Sequence, residues 1–236
     1  FDSGVGGLSV CKEIRRGTQA DIFYFGDSLH APYGNKKKEE IVAFIKEILS
    51  HLKSKRVTHF VSACNSMSVH TTEEVLKEVG IKRERYIDMV EVFKEIPFDT
   101  KKKILLVGTK ATQDSNVYQQ ALSLKNIPYS FFTPLFLAGG IENMDYGVID
   151  RSITDVIEEA KKTESDCIFY ACTHYPLVHE LFVEKAKELS FEGAFIDPAS
   201  YVLLIVNRWN LKGSRESVFE TSLETDAFRD YTKKLC

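Results

Sequence analysis

Cys64 and Cys172 stand in matching local settings. His59-Phe60-Val61-Ser62-Ala63-Cys64-Asn65-Ser66 is an apolar run ending in Ala-Cys and then small polar residues. Cys167-Ile168-Phe169-Tyr170-Ala171-Cys172-Thr173-His174 repeats that design in the second half. Each run reads as a short buried strand followed by a helical pattern. A cysteine at that junction lies at the C-terminal end of a strand, where open α/β sheets place their sites. The neighbouring helix N-terminus, with its dipole and free backbone N–H groups, favours thiolate over thiol. Two such thiols, one from each half, predict an acid/base cysteine on either side of one substrate. Cys11 and Cys167 lie inside helix-like and strand-like apolar patterns and read as packing residues. Cys236 is the last residue.

Other residues gather around this pair. Asp2-Ser3-Gly4-Val5-Gly6-Gly7 is a glycine-rich turn opening a helix. It is not the dinucleotide fingerprint, because Ser9 occupies the third glycine position; a helix start of this kind suits a substrate carboxylate equally well. In Ala31-Pro32-Tyr33-Gly34 the proline presets a turn, and Gly34 lets the backbone approach a ligand closely. Asn65, Ser66 and Thr173 are small donors and acceptors suited to an amino or carboxylate group. His174, with an ordinary pKa near neutrality, can donate to a carboxylate or assist proton transfer.

The elements that must position these residues alternate along the chain, which argues for α/β architecture with mostly parallel sheets flanked by helices. Residues 22–26, 58–63, 86–90, 104–108, 130–133, 167–171 and 194–196 read as strands. Helical patterns cover 7–16, 36–53, 71–79, 115–125, 149–162, 174–189, 200–209 and 226–235. The polar stretch Glu91–Lys103 is the expected boundary, after which strand, turn and helix restart. The halves look like distant repeats: a first lobe of residues 1–92 plus 200–236 carrying Cys64, and a second of 93–199 carrying Cys172. The active site is expected in the cleft between these two similar lobes. An α/β protein leads into its glycine-rich turn from a strand, so a further strand is expected ahead of Phe1.

With 236 residues the chain can form one large or two small domains around an ample core. A net charge of −3 gives no reason to expect nucleic acid or an anionic membrane as partner. The runs Lys36-Lys37-Lys38 and Lys101-Lys102-Lys103 are short and read as solvated edges. No stretch of about 18 apolar residues is present for a membrane span, and nothing at the start resembles a signal peptide. Five cysteines with no CxxC and no close Cys/His cluster point to neither a disulfide framework nor a metal site. A reduced cytoplasm is the expected compartment.

Taken in order, Phe1-Asp2-Ser3-Gly4-Val5-Gly6-Gly7, Pro32-Tyr33-Gly34, Ala63-Cys64-Asn65-Ser66, Val107-Gly108-Thr109-Lys110-Ala111-Thr112 and Ala171-Cys172-Thr173-His174-Tyr175-Pro176-Leu177 resemble glutamate racemase. The likeness runs nearly end to end and includes Ile196-Asp197-Pro198-Ala199 and Thr221-Ser222. It implies a two-lobed fold of the aspartate/glutamate racemase type and cofactor-free interconversion of L- and D-glutamate, supplying D-glutamate for peptidoglycan. By that resemblance Cys64 and Cys172 are the two acid/bases, and Asp2 and His174 tune them. Asp2 and Ser3, Tyr33 and Gly34, Asn65 and Ser66, and Thr173 and His174 are the substrate-contacting pairs. The chain departs from the family where Ser66 replaces threonine, where Met67 replaces alanine, and at Ile87-Asp88-Met89-Val90-Glu91.

Rival readings are weighed on the same residues. An aspartate or other racemase of the superfamily would differ only in side-chain contacts. A hydrolase using Cys172 with His174 leaves Cys64 unexplained, and neighbours on a helix start are not expected to face each other as nucleophile and base. A decarboxylase would need one cysteine only. A protein that merely holds an acidic amino acid would not exchange its α-proton. The expected partner is therefore a small molecule, glutamate, with no metal and no cofactor, and a homodimer is left open.

Overall fold

The computed structural model describes residues 1–234. Eight strands run through it: β1 (Ile22–Gly26), β2 (Phe60–Ser62), β3 (Tyr86–Asp88), β4 (Ile104–Gly108), β5 (Tyr129–Phe132), β6 (Cys167–Ala171), β7 (Ala194–Ile196) and β8 (Ser217–Thr221). Every strand pairing among the described residues is parallel. One sheet has the order β5-β4-β6-β7, with Gly108 opposite Ala171. The other strands form the pairs β1-β8 and β2-β3.

Phe1 and Asp2 lie between those two pairs. The Asp2 N–H donates to Phe25 O and the Asp27 N–H to Asp2 O, each at 3.0 Å. On the other side the Ala63 N–H donates to Phe1 O and the Phe1 nitrogen to Val61 O, each at 2.9 Å. Asp2 is thereby held at the ends of β1 and β2, the sheet margin on which Cys64 follows.

The four-stranded sheet is covered on both faces, as continuous apolar runs such as Ile104–Val107 require. Alternation along β4 sends successive side chains to opposite faces. Leu105 and Val107 pack with Ile149, Ile153, Val156 and Ile157 of the helix Tyr146–Lys162. Ile104 and Leu106 pack with Phe93, Tyr118 and Leu122. In the first half, Ile41, Ile45, Ile48, Leu49 and Leu52 of the helix Lys38–Ser54 form the apolar stripe read from sequence, and they pack against Phe25, Tyr33, Phe60 and Met67.

Several local expectations change. The strand expected over 86–90 stops at Asp88, whose carboxylate accepts the Glu91 N–H and caps a helix, Met89–Glu95. The polar stretch expected at Glu91–Lys103 therefore opens in a helix whose Val92 and Phe93 are buried. The helix expected over 174–189 is divided into a 3₁₀ turn, Tyr175–Val178, and a helix, His179–Glu188; Pro176, which lacks an N–H, sits in the turn. The helix expected over 200–209 is likewise three short pieces, Pro198–Tyr201, Leu203–Val206 and Asn207–Trp209. β8 was not expected, because Ser-Val-Phe-Glu-Thr is a partly exposed strand with little apolar patterning. The last helix is Asp226–Lys233; Leu235 and Cys236 lie outside the described residues. No helix among the described residues is long and apolar enough to cross a membrane.

Candidate active site

Cys64 follows β2 after a single residue, Ala63, and Cys172 follows β6 directly. Both are free thiols, and both are buried with only 5% of their surface exposed. The Cys64 sulfur donates to Ser3 Oγ at 3.5 Å. Asp2, fully buried, accepts the Gly4 N–H at 3.0 Å on one oxygen and Thr173 Oγ1 at 3.0 Å on the other. Ser3, Asp2 and Thr173 therefore form a continuous polar path from the Cys64 side to the residue beside Cys172.

The Cys172 side has a different composition. Cys172 Sγ lies 3.7 Å from His174 Nδ1, and His174 Nε2 lies 2.6 Å from Glu142 Oε1. Glu142 also accepts the Val5 N–H at 2.9 Å, which ties the second half to the glycine-rich turn. The sequence expectation that a helix start would keep Cys172 and His174 apart is overturned. Residues 172–174 form a bend ahead of the 3₁₀ turn, so side chains two apart lie on one side.

Glycine at position 6 has a steric cause. A Cβ there would stand 2.5 Å from Thr173 Oγ1 and 2.6 Å from His174 Nδ1. The turn thus packs its backbone against the residues following Cys172, a role the sequence pattern leaves unspecified.

The two sulfurs differ electrostatically. Burial, reinforced by the Asp2 carboxylate, pushes the Cys64 thiol up to about 12. This corrects the expectation that a helix start would favour its thiolate: the helix after Cys64, Asn65–Ser68, is a single turn and cannot offset burial beside an anion. For His174, burial works against the charged ring, yet hydrogen bonds to Cys172 and Glu142 outweigh it and hold its pKa well above the ordinary value. Burial raises the Asp2 carboxyl, opposed by His174 and the Thr173 hydrogen bond.

The remaining expected residues border this centre in different ways. Asn65 accepts Tyr118 Oη at 2.5 Å through its Oδ1, while its buried Nδ2 has no partner. An unpaired buried donor beside Cys64 is costly unless something accepts from it. Ser66 Oγ is 2.9 Å from Thr109 Oγ1, which is 3.1 Å from Thr112 Oγ1, so the hydroxyl kept at position 66 joins the two halves. Met67, fully buried, packs with Phe1, Tyr33 and Cys64. Gly34 lies against Thr109, where a Cβ would meet the threonine side chain at 2.6 Å.

The Tyr33 hydroxyl donates to Asp27 Oδ2 at 2.5 Å. Asp27 also holds His30 Nδ1 at 2.8 Å and Ser222 Oγ at 2.6 Å, so the loop bearing Tyr33 and Gly34 is tied to the Thr221-Ser222 segment. A cavity of about 280 Å³ opens beside Gly34, Thr109 and Tyr175. Among the described residues, no group of three or more His, Cys, Asp or Glu side chains is arranged to hold a metal ion.

Sequence reasoning missed Glu142, Asp27 and Thr109. Glu142 could have been found as the single charge ending Leu137-Ala138-Gly139-Gly140-Ile141, a short helix with Leu137, Ala138, Gly140 and Ile141 buried. Thr109 carries a helix-start signature, Thr-x-x-Thr, and accepts the Thr112 N–H.

No family model matches the sequence. The chain is 30% identical over 252 residues to glutamate racemase 3 of Caldanaerobacter subterraneus subsp. tengcongensis, covering 100% of this chain and 89% of that protein. The chain belongs to the glutamate racemase family. A second member, glutamate racemase of Aquifex aeolicus, is 36% identical over 182 residues, covering 75% of this chain and 70% of that protein. The crystal structure of glutamate racemase from Francisella tularensis in complex with D-glutamate superposes with a TM-score of 0.82 at 25% identity, covering 100% of this chain and 91% of that one. The two-lobed racemase fold expected from the sequence is the one this family member has.

Proposed function

We propose that the protein is a glutamate racemase that interconverts L- and D-glutamate with two cysteine acid/bases. One cysteine, as thiolate, takes the α-proton of the bound amino acid. The other, as thiol, returns a proton to the opposite face, so that the carbon inverts and the two sulfurs exchange protonation states. The reading assigns Cys64 and Cys172 these roles, with Asp2 acting beside Cys64 and His174 beside Cys172. The proton carriers are the chain's own groups, and the reading calls on no cofactor.

The observation that carries it is the convergence of the two cysteine settings through Asp2 and Thr173, whose side chains bond at 3.0 Å. Inversion at carbon demands groups on both faces, and a single-thiol reaction leaves one setting without a task. A carbanion beside a carboxylate needs fixed donors to stabilise its charge. The unpaired Asn65 Nδ2 supports a substrate-binding role for that residue. Ser3, Tyr33, Gly34, Ser66 and Thr173 are assigned to the same substrate, Tyr33 through its loop backbone, since its hydroxyl is committed to Asp27.

We further assign residues 1–92 with 200–236 to one lobe and 93–199 to the other. Packing of Val202, Ile205 and Val206 with Val10, Ala63 and Ile87 supports the return of the chain to the first lobe. The setting inferred is cytoplasmic supply of D-glutamate for peptidoglycan, with a homodimer as the assembly to test. A second reading draws on the Cys172–His174–Glu142 series, which has the order of a nucleophile triad. It gives Cys64 and Asp2 no role. Incubation with L-glutamate in deuterated water separates the two readings: racemisation requires α-proton exchange, whereas acyl transfer or simple binding gives none.

A further inference from the structure

We propose that Tyr118 is a positioning residue for substrate binding: its phenol holds the Asn65 amide in one orientation, which presents the amide NH2 to a carboxylate of glutamate. The inference deepens the racemase reading above and rests on it for the identity of the ligand. Asn65 opens the short helix that follows Cys64 and is only 1% exposed. Its Oδ1 lies 2.5 Å from Tyr118 Oη. That separation suits an O–H···O bond and is shorter than the roughly 2.7 Å at which N–H···O bonds begin. The amide oxygen therefore faces the phenol. In the reverse orientation the nitrogen would donate to the phenol oxygen, and the phenol proton and the amide oxygen would both lose the partner they have.

With the oxygen so engaged, Nδ2 is the group left over, buried and without a partner. A buried donor is costly to leave empty. Of the polar groups on glutamate, an NH2 donor complements a carboxylate and is repelled by the ammonium. Asn65 thus has its two ends assigned, one to the protein and one to the ligand.

The phenol is itself held in place. Tyr118 lies in the helix Val117–Leu124 and is fully buried. Its ring meets Phe93 edge-on with centroids 4.7 Å apart, and Phe169 stands 6.2 Å away. Packing of this kind locks the side chain that orients a binding group. Burial, reinforced by charge at Asp88 and at both cysteines, holds the Tyr118 pKa well above its ordinary value, so the hydroxyl keeps its proton to donate. The bond spans 53 positions of sequence. On the lobe assignment above it passes from the second lobe to the first, so the donor beside Cys64 is aimed by the half that carries Cys172.

The test measures glutamate binding by titration calorimetry alongside steady-state kinetics. Tyr118→Phe keeps the ring against Phe93 and Phe169 and removes the hydroxyl alone. The dissociation constant and KM for glutamate should rise about tenfold while kcat stays within about twofold, the split expected when binding is lost equally from ground and transition states. Asn65→Ala should weaken binding at least as much, and adding Tyr118→Phe to it should change nothing further. A tyrosine that only packs the core would give the same loss in both backgrounds. Asn65→Asp keeps an oxygen for Tyr118 and puts an anionic oxygen in place of the NH2, so affinity should fall about 100-fold or more. That variant tests the orientation whether or not Tyr118→Phe folds. An unchanged KM in Tyr118→Phe, an equal effect of it on Asn65→Ala, or parent affinity in Asn65→Asp would overturn the inference. A parent that binds glutamate without exchanging its α-proton would instead overturn the racemase reading and leave Tyr118 to be judged on the dissociation constants. A parent that binds no glutamate would overturn both.

Discussion

Thr173 Oγ1 donates to Asp2 Oδ2 at 3.0 Å across 171 positions of sequence. Thr173 adjoins Cys172, and Asp2 adjoins Ser3, the acceptor of the Cys64 thiol. Neither cysteine is therefore positioned by its own half alone. The turn that serves Cys64 also contacts the residues after Cys172, and Glu142 in the second half holds the Val5 N–H of that turn. A change on one side should be felt on the other.

Glu142→Gln tests the carboxylate that sequence reading missed. Glutamine keeps an oxygen acceptor but loses the charge that helps hold His174 protonated. Its kcat/KM with glutamate should fall about 10- to 100-fold, in the range for acid–base assistance. The parent keeps its imidazolium until the pH rises through the elevated His174 value. In the variant that loss comes earlier, so the alkaline limb of the kcat/KM profile should move to lower pH. An unchanged profile would make Glu142 a packing residue.

Gly6→Ala probes the same junction sterically. The added methyl would stand 2.5 Å from Thr173 Oγ1 and 2.6 Å from His174 Nδ1, so one partner must shift. A misplacement of catalytic groups by about 1 Å costs about 100-fold in rate. Circular dichroism should remain that of the parent while turnover falls. Full activity in Gly6→Ala would contradict the described packing of the turn on His174.

Legibility in the sequence followed the physics of each element. β4 and β6 were readable because burial on both faces demands continuous apolar runs, as in Ile104–Val107 and Cys167–Ala171. The helix Lys38–Ser54 was readable from its stripe of isoleucines and leucines. β8 escaped because its side chains are partly exposed, and Met89–Glu95 because its charges at Glu91, Lys94 and Glu95 conceal three buried side chains, Met89, Val92 and Phe93. In the site, the cysteines and their neighbours were legible as local motifs. Glu142 and Asp27 act through contacts distant in sequence or set by side-chain direction, which no local pattern encodes. The Cys64 environment was misread for the same reason: burial beside Asp2 outweighs the helix start.

Asp197 links a sequence motif to stability. Burial pushes its carboxyl up from 3.8 to about 6, against the Ala199 N–H it accepts and with help from Glu13. The folded form therefore holds the proton more tightly, and this contribution is fully present below 3.8 and lost as pH rises through about 6. Asp197→Asn keeps the acceptor for the Ala199 N–H but removes the ionisation. The variant should be more stable than the parent by about 1–2 kcal/mol above that window. The difference should close toward its acid end. Thermal melts across the range check the sign; a variant less stable at every pH would contradict it.

The central claim is that two cysteines work on opposite faces of one glutamate, and α-proton exchange in deuterated water tests it most directly. The parent protein given L-glutamate should form D-glutamate carrying deuterium at Cα, and the reverse reaction should do the same. Cys64→Ser and Cys172→Ser should each lose racemisation by orders of magnitude, since a serine hydroxyl is a far weaker acid than a thiol. Racemisation near the parent rate in either variant would contradict the two-cysteine account.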